Sequence, residues 1–259
     1  MKAKSLGFIG AGRVTRIFLQ AFKNHKVSFR QICMIDPVKE ILEAIMKDFP
    51  NMITTTNDLQ KVMQNDVVFI ALHPSVIMET LDKIKPLMNP GSLLVSLAPK
   101  ITMDKISMKL DGFQNIARMI PNAPSVINEG YNPVAFSKSI SDTDREFLIK
   151  IFEVLGKCVP VEEHSLEAYA IITAMSPTYF WFQYRELFEI GRKLGLSDVE
   201  CRTGIAETIK ASVNTLFYSG MTPEEVTDLI PVKPIAEYEA EIRNIYNSKL
   251  LPLYEKIKP

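Results

Sequence analysis

Short apolar segments alternate with amphipathic segments along the first half of the chain. The segments with the length and composition of buried strands are Ser5–Ile9, Gln31–Ile35, Asp66–Leu72, Ser92–Leu97 and Asn115–Ile120. Apolar residues recur at helical spacing in the segments between them, which are Val14–Lys23, Val38–Asp48, Asp58–Gln64, Val76–Lys85 and Met103–Lys109. Strands that alternate with helices in this way predict βαβ units. We therefore expect a doubly wound α/β domain with a mostly parallel sheet.

The segment after the fifth predicted strand has a different composition. Proline and asparagine are frequent over residues 121–137, which also include Gly130, so we interpret this segment as a loop. A helix is predicted over Asp142–Leu155, with Ser141 as its N-cap and Gly156 at its carboxyl end. A last short strand, Cys158–Val161, would complete the α/β domain.

The second half of the chain follows helical spacing almost throughout, from Ser165 onward. Ser197–Glu200 and Thr222–Glu225 each have the sequence of a capping box, in which a hydroxyl and a carboxylate satisfy backbone N–H groups at a helix start. The change of pattern predicts two domains, an α/β domain over 1–162 and an all-α domain over 163–259.

A glycine motif joins the first predicted strand to the first predicted helix. Gly10 permits a tight turn, and Gly12 lets the backbone approach a ligand because glycine has no Cβ. The start of the following helix offers N–H groups and a favourable dipole to an anion. This order is typical of a Rossmann domain, so we expect Gly10, Ala11, Gly12, Arg13 and Val14 to bind the diphosphate of NAD or NADP. The alternative is a glycine turn that serves packing only.

Two further positions bear on this motif. Asp36 ends the second predicted strand, where a carboxylate accepts hydrogen bonds from the adenosine ribose and repels a 2′-phosphate, which slightly favours NAD over NADP. The alternative is a solvated turn residue beside Pro37, and Lys39 and Arg13 could still tolerate a phosphate. Thr15 occupies the motif's third small position, so we expect looser packing of helix against strand there.

Composition disfavours several other functions. Lys plus Arg and Asp plus Glu both number 30, which leaves no net charge to hold a nucleic acid. The isolated cysteines Cys33, Cys158 and Cys201 fit a reducing cytoplasm, and His25 and His164 lack partners at metal-ligand spacing. No apolar run reaches the ~18 residues of a membrane helix. We therefore expect a cytoplasmic protein with a small-molecule substrate and no metal.

Four segments resemble the pyrroline-5-carboxylate reductase family, within a wider group of Rossmann enzymes that includes the F420-dependent NADP oxidoreductases. They are Gly7–Gly12, Asp66–Pro74, Leu94–Ala98 and Met119–Pro124. The resemblance implies a hydride transfer between a nicotinamide and a small C=N or C=O compound. It also implies that the helical domain forms a homodimer and completes the site.

Three predicted loops follow strand ends and should border the cofactor, because ligands of open α/β sheets bind outside the carboxyl ends of the strands. These loops contain Leu72, His73, Pro74, Ala98 and Asn122. The Asn122 side chain has both a donor and an acceptor, and could orient a carboxamide or a substrate carboxylate. The alternative is an ordinary turn asparagine.

Reduction of an imine or ketone requires a proton in addition to the hydride, and four residues are candidates to supply or orient it. His73 stands where the family usually has lysine, and an imidazole titrates near neutrality; it could equally be a surface residue or an adenosine contact. Ser176 could bond a ligand or cap the helix that follows it. Tyr179 could instead be packed in a core, and Glu237 could be a solvated charge.

The segment Ile230–Glu237 corresponds to the family's glycine-rich substrate loop but contains no glycine. The first hypothesis is therefore an oxidoreductase of pyrroline-5-carboxylate reductase type with an altered small substrate. A non-catalytic dinucleotide-binding regulator or scaffold is the alternative. A relative of the 3-hydroxyacid dehydrogenases is less favoured, because Ser165–Thr173 contains no suitably placed lysine.

Overall fold

This computed structural model describes residues 4–259. Eight strands and eleven α-helices lie within this range. The strands are β1 (Leu6–Ile9), β2 (Ile32–Ile35), β3 (Thr54–Thr55), β4 (Val67–Ile70), β5 (Leu93–Ser96), β6 (Ile116–Met119), β7 (Gly130–Phe136) and β8 (Gly156–Pro160). The helices are α1 (Arg13–Asn24), α2 (Lys39–Asp48), α3 (Leu59–Met63), α4 (Pro74–Ile84), α5 (Met103–Lys109), α6 (Asp142–Glu153), α7 (Leu166–Tyr169), α8 (Pro177–Lys193), α9 (Asp198–Tyr218), α10 (Pro223–Asp228) and α11 (Glu239–Ile257). A π-helical turn, Ala170–Ala174, follows α7.

The strands form one sheet in the order β3-β2-β1-β4-β5-β6-β7-β8. β1 pairs in parallel with both β2 and β4, so the strand order reverses at β1. β7 runs antiparallel to β6, and β8 runs parallel to β7. The doubly wound, mostly parallel α/β fold is therefore confirmed. The edge at the carboxyl ends of β1, β2, β4, β5 and β6, called the carboxyl edge below, is where such sheets bind ligands.

Helices pack on both faces of the sheet, which explains why its strands show no alternation of apolar and polar residues. On one face the rings of Phe8 and Phe69 stack at 4.6 Å, and Phe18 of α1 meets Phe69 edge-on at 5.4 Å. On the other face Ile70 and Ile77 of α4 belong to a second buried cluster. Strand β1, which leads into the glycine motif, is thus packed on both faces, through Phe8 on one side and Ile9 on the other.

Strand β7 lies within residues 121–137, so the prediction of a loop there is wrong. Pro133 cannot donate to a neighbouring strand, but its carbonyl accepts a hydrogen bond from the Ile120 amide at 3.1 Å. Asn132 is fully buried, and its Oδ1 accepts a hydrogen bond from the Ser125 hydroxyl at 3.0 Å. The polar and proline residues that suggested a loop are therefore accommodated inside the sheet.

The other predicted strands and helices of the sheet region are present, with ends shifted by no more than two residues. Ser141 caps α6, as predicted, because its hydroxyl accepts a hydrogen bond from the Asp144 amide at 3.1 Å. Gly156 follows α6 with φ +124°, and a Cβ there would lie 2.3 Å from the backbone of Gly130. Glycine is therefore required where β8 passes β7. The two-residue strand β3 had no signal in the sequence.

The chain divides into two compact units, one of residues up to Met175 together with Tyr254–Pro259, and one of Ser176–Leu253. Sheet, α7 and the π-helical turn belong to the first unit, in which Leu166 and Ala170 are buried with Ile120. The division therefore lies after Met175, 13 residues beyond the boundary predicted after residue 162, because α7 and the π-helical turn pack in the first unit.

The second unit consists of helices, and both predicted capping boxes are confirmed at the starts of α9 and α10. Only Cys201 is buried among residues 176–253. Large apolar side chains are correspondingly exposed, including Trp181 (52%), Phe182 (67%) and Phe217 (69%). None of the helices described within residues 4–259 combines the length and apolarity that a membrane span requires.

Candidate functional site

The turn after β1 requires glycine at its first position. Gly10 has φ +100°, a conformation that side chains disfavour, and a Cβ there would lie 2.5 Å from the Ala71 carbonyl oxygen. Its amide donates a hydrogen bond to the Ile35 carbonyl at 2.8 Å, which links the turn to β2. The turn is thus fixed between β1, β2 and β4, where the strand order reverses.

Gly12 is the N-cap of α1, and the space beside it is open. Within residues 4–259, no atom beyond its chain neighbours lies within 4 Å of an ideal Cβ built at Gly12. Arg13 and Val14 begin the helix, and its first turn contains no acidic residue. The N–H groups at this helix start face open space, and the first turn has no carboxylate to repel an anion. They are therefore suited to donate hydrogen bonds to a diphosphate. A Cβ at residue 12 would occupy that space.

Thr15 does not loosen the packing of α1, so that expectation is wrong. Its side chain is fully buried, and its hydroxyl donates a hydrogen bond to the Gly10 carbonyl at 2.6 Å. Threonine therefore ties the first helical turn back to the glycine turn, whereas the sequence motif suggests only that a small residue is needed.

Asp36 connects the end of β2 to the glycine motif. One carboxylate oxygen accepts a hydrogen bond from the Ala11 amide at 2.9 Å, and the other accepts one from the Val38 amide at 3.0 Å. The half-buried carboxylate thus stabilises the turn itself, a role that the sequence did not reveal. Each oxygen retains a second lone pair with which it could accept a hydrogen bond from a ribose hydroxyl.

His73 and its neighbours lie beyond the carboxyl end of β4. His73 is the N-cap of α4, and its Nδ1 lies 2.8 Å from the Ser75 hydroxyl and 3.4 Å from the Ser75 amide. Pro74 is the first residue of the helix, and Leu72 is half-buried before it. With Nδ1 engaged in the cap, Nε2 is the ring nitrogen that remains for a ligand.

Asn122 follows β6 and is 7% exposed. Its side-chain Oδ1 accepts a hydrogen bond from the Tyr131 backbone amide at 3.1 Å. The backbone amide of Asn122 donates to Asn132 Oδ1 at 3.2 Å. The side-chain oxygen of Asn122 is therefore already occupied by a hydrogen bond within the protein. A ligand would meet the side-chain NH₂ group, so Asn122 is suited to bind an acceptor such as a carbonyl or carboxylate oxygen.

A buried charged cluster at the carboxyl edge was missed by the sequence analysis. Arg118 of β6 donates hydrogen bonds to Glu163 Oε1 at 2.8 Å and to Glu167 Oε1 at 2.6 Å. Arg118 and Glu167 are fully buried. The same two oxygens also accept hydrogen bonds from the backbone. The Lys100 amide donates to Glu167 Oε1 at 2.8 Å, and the Met103 amide donates to Glu163 Oε1 at 2.7 Å. The cluster thus fixes the loop between β5 and α5.

Arg118 also reaches the loop directly, since its second Nη lies 3.4 Å from the carbonyl oxygen of Ala98. Ala98 is itself buried. The one sequence signal for this cluster is an arginine inside an otherwise apolar strand, because a buried charge requires a charged partner. The sequence does not reveal which of its 30 acidic residues that partner is.

The other three candidate catalytic residues belong to the second unit, whereas His73 belongs to the first. Ser176 precedes α8 but makes no capping hydrogen bond to it, and Glu237 is exposed. The Tyr179 ring lies edge-on to that of Tyr246, with centroids 6.0 Å apart. Burial, and secondarily Tyr246, raise the pKa of the Tyr179 hydroxyl, so it stays protonated at neutral pH. Roles for these residues remain predictions.

The described residues do not form the ligand set that a metal ion requires. No group of three or more His, Cys, Asp and Glu side chains suited to a metal ion occurs within residues 4–259.

Comparison with known proteins gives consistent results. Residues 5–100 match the family model described as NADP oxidoreductase coenzyme F420-dependent. Pyrroline-5-carboxylate reductase of Escherichia coli (strain K12) is 24% identical over 229 residues, which cover 88% of this chain and 84% of the relative.

Two solved structures share the fold. The Plasmodium falciparum pyrroline carboxylate reductase, solved with NADP bound, has a TM-score of 0.78 at 21% identity and covers 99% of this chain and 96% of its own. Pyrroline-5-carboxylate reductase from Coxiella burnetii has a TM-score of 0.70 at 20% identity, and the match covers 99% of this chain and 95% of the Coxiella chain. The fold is therefore shared over nearly the full length of both chains.

Proposed function

We propose that this chain, a divergent member of the pyrroline-5-carboxylate reductase family, is an NAD(P)-dependent oxidoreductase that transfers a hydride between the dinucleotide and a small C=N or C=O substrate. The observation that carries the proposal is the open space beside Gly12 at the start of α1. Only a residue without a Cβ leaves that space for a diphosphate. Membership of this family supports catalysis over the alternative of a non-catalytic regulator.

The residues that would hold the dinucleotide follow from the carboxyl edge. The amides of Gly12, Arg13 and Val14 at the start of α1 would bind the diphosphate. The amides of Gly10 and Ala11 are bonded to Ile35 and Asp36, so these two residues would shape the turn around it, and Asp36 would accept hydrogen bonds from the adenosine ribose. The nicotinamide would lie on the opposite side of β1, near Leu72, His73, Pro74, Ala98 and Asn122. When bound, the dinucleotide supplies or accepts the hydride.

The chain itself must manage the proton that accompanies the hydride. His73 Nε2 is not engaged in the cap of α4 and is available to hold this proton, while the raised pKa of Tyr179 keeps its hydroxyl protonated. Ser176 and Glu237 are the remaining candidates for donating or orienting a hydrogen bond. Single substitution of each by alanine, with kcat and KM followed against pH, would identify the residue whose loss removes the ionisation from the profile.

The substrate is proposed to be a small compound that differs from pyrroline-5-carboxylate, for which the relatives are named. Residues Ile230–Glu237 contain no glycine, so their backbone is less free to form a concave set of N–H groups around an anion. Oxidation of NADH and NADPH with a panel of cyclic imines, keto acids and semialdehydes tests this. Fastest turnover with pyrroline-5-carboxylate would contradict it.

We propose NADH rather than NADPH as the preferred cofactor, because the Asp36 carboxylate carries negative charge where a 2′-phosphate would lie. The preference is slight, and Arg13 is exposed nearby to attract a phosphate. Titration calorimetry with both dinucleotides measures it directly. A lower dissociation constant for NADPH would refute the preference.

We also propose a homodimer formed through the second unit. Many of its large apolar side chains are exposed, among them Trp181, Phe182 and Phe217, and exposed apolar patches are typical of protein–protein interfaces. Light scattering after gel filtration should give twice the mass of one 29.3 kDa chain. The three separate free cysteines are in keeping with a reducing compartment such as the cytoplasm.

The central experiment uses Gly12→Ala. A Cβ at this position meets no other part of the described chain, so stability should change by less than about 1 kcal/mol. Dinucleotide affinity should nevertheless fall at least about tenfold, since the methyl group occupies the diphosphate space. Gly204→Ala in α9 is the matched control, because its Cβ also has nothing within 4 Å in the described chain. Equal dinucleotide affinities for both variants would overturn the proposed site.

A further inference from the structure

Lys100 has an unusual backbone conformation. Its φ is +77°, in the left-handed region that glycine adopts freely and most side chains disfavour. The other non-glycine residues with positive φ within residues 4–259 are Lys26, Asn51, Asp111 and Asn128. Asparagine and aspartate can support this conformation by hydrogen bonds to the local backbone, but lysine has no such means. At Lys100 the support therefore comes from outside the residue.

The buried charged cluster provides that support. Glu167 Oε1 accepts the hydrogen bond from the Lys100 amide, and the ion pair with Arg118 fixes the carboxylate in turn. Three residues further on, Glu163 holds the Met103 amide in the same way. Fully buried charges are expensive to maintain, so their use to fix one short loop suggests that the position of that loop matters for function.

The conformation presents a cation at the carboxyl edge. The Lys100 side chain is exposed, and no ion pair joins it to a carboxylate in the part of the chain described. Residue 100 lies four positions beyond the end of β5, on the opposite side of β1 from Asp36 and β2. The carboxyl edge on the β2 side of β1 would bind the adenosine. The edge on the β4, β5 and β6 side, where Lys100 lies, would bind the nicotinamide and the substrate.

We propose that Lys100 binds a carboxylate group of the substrate, and that Glu163, Glu167 and Arg118 are positioning residues for it. This inference rests on the proposed function, because it assumes that a substrate binds beside the nicotinamide. Asn122, whose NH₂ group is suited to an acceptor, follows the adjacent strand β6 and could bind a second oxygen of the same anion.

The test measures binding without turnover. Cyclopentanecarboxylate and cyclopentanecarboxamide have the same ring and similar shape, but only the first carries a charge. Titration calorimetry is done on the full chain saturated with the oxidised dinucleotide, at low and high salt. Wild type should bind the carboxylate about 10- to 100-fold more tightly than the amide, with the preference reduced at high salt.

Two substitutions at Lys100 separate charge from backbone conformation. Lys100→Asn removes the charge but tolerates a positive φ, so it should fold normally and lose the preference for the carboxylate. Lys100→Arg keeps the charge and should retain the preference within about threefold. Equal binding of the two probes by wild type, or a full preference in Lys100→Asn, would overturn the inference.

The dinucleotide titration distinguishes the two proposals. Tight dinucleotide binding with no effect of Lys100 on the carboxylate would reject the role of Lys100 and leave the proposed function intact. Loss of dinucleotide affinity in Lys100→Asn would show that Lys100 contacts the cofactor and would likewise reject a substrate role. Failure of wild type to bind any nicotinamide dinucleotide would reject both.

Discussion

Removal of the Glu167 carboxylate should be among the most destabilising single substitutions in the sheet unit. Glu167→Ala leaves the guanidinium of Arg118, which is fully buried, with Glu163 as its one charged partner. It also leaves the Lys100 amide without its acceptor. Because the guanidinium is fully buried, water does not replace the partner that it loses.

The expected magnitude follows from the two losses. Breaking a buried ion pair by removing one partner costs about 3–5 kcal/mol, and leaving an amide without its acceptor costs about 1–3 kcal/mol. Glu163 still pairs with Arg118, which limits the first loss, so a total loss of at least about 3 kcal/mol is expected. This is a large share of the ~5–15 kcal/mol by which a domain is ordinarily stable.

Glu167→Gln separates charge from hydrogen bonding. Glu167 Oε1 accepts both hydrogen bonds, from Arg118 and Lys100, whereas Oε2 has no hydrogen-bond partner among the described residues. A glutamine can therefore keep its oxygen at Oε1 and place its NH₂ group at the other position. The glutamine variant should lose less stability than the alanine variant.

Urea unfolding followed by circular dichroism gives the free energies of unfolding. Glu79→Ala is the matched control, because Glu79 forms an exposed ion pair with Lys83 at 2.7 Å and should lose less than about 0.5 kcal/mol. A loss below about 1 kcal/mol for Glu167→Ala, or a larger loss for Glu167→Gln than for Glu167→Ala, would refute the assigned role of the cluster.

Three further predictions concern single substitutions. Gly10→Ala, with its Cβ 2.5 Å from a carbonyl oxygen at φ +100°, should lower both the thermal midpoint and dinucleotide affinity, whereas Gly12→Ala should lower the affinity alone. Thr15→Val should cost about 1–3 kcal/mol in urea unfolding by removing the donor to the Gly10 carbonyl, and Thr15→Ser should restore it. Burial alone would raise the pKa of Asp66, but hydrogen bonds from Ser5 and the charge of Arg30 lower it below 3.8 overall. Its stabilisation is therefore present above that pH and lost as the pH falls through the lowered pKa, so Asp66→Asn should flatten the acid limb of stability measured between pH 2 and pH 7.

The parts of the fold with local signals could be predicted from the sequence. A strand covered on both faces needs a run of apolar residues, and the Val67–Ile70 run has no other stable location than the interior. Capping boxes are equally local, since Ser197 and Glu200 satisfy each other's backbone within one helical turn. Such signals require no knowledge of distant segments.

Strand β7 had no local signal because its stability depends on its neighbours. Gly130, Asn132 and Pro133 are typical of loops, yet β6 and β8 supply hydrogen bonds on both sides. Asn132 is tolerated because Ser125 and the Asn122 amide satisfy its buried oxygen. Propensity describes an isolated segment, and here tertiary hydrogen bonding outweighs it.

The candidate site shows the same division between local and distant information. The glycine turn is encoded within a few residues, and its conformation follows from the absence of Cβ atoms. The conformation of Lys100 depends on Glu167, 67 residues away, which in turn depends on Arg118, 49 residues from it. No local pattern marks a lysine that adopts a left-handed backbone, because its own side chain disfavours that state. If the carboxylate probe shows that Lys100 is a binding residue, its function will have been specified by a distant ion pair rather than by any motif around it.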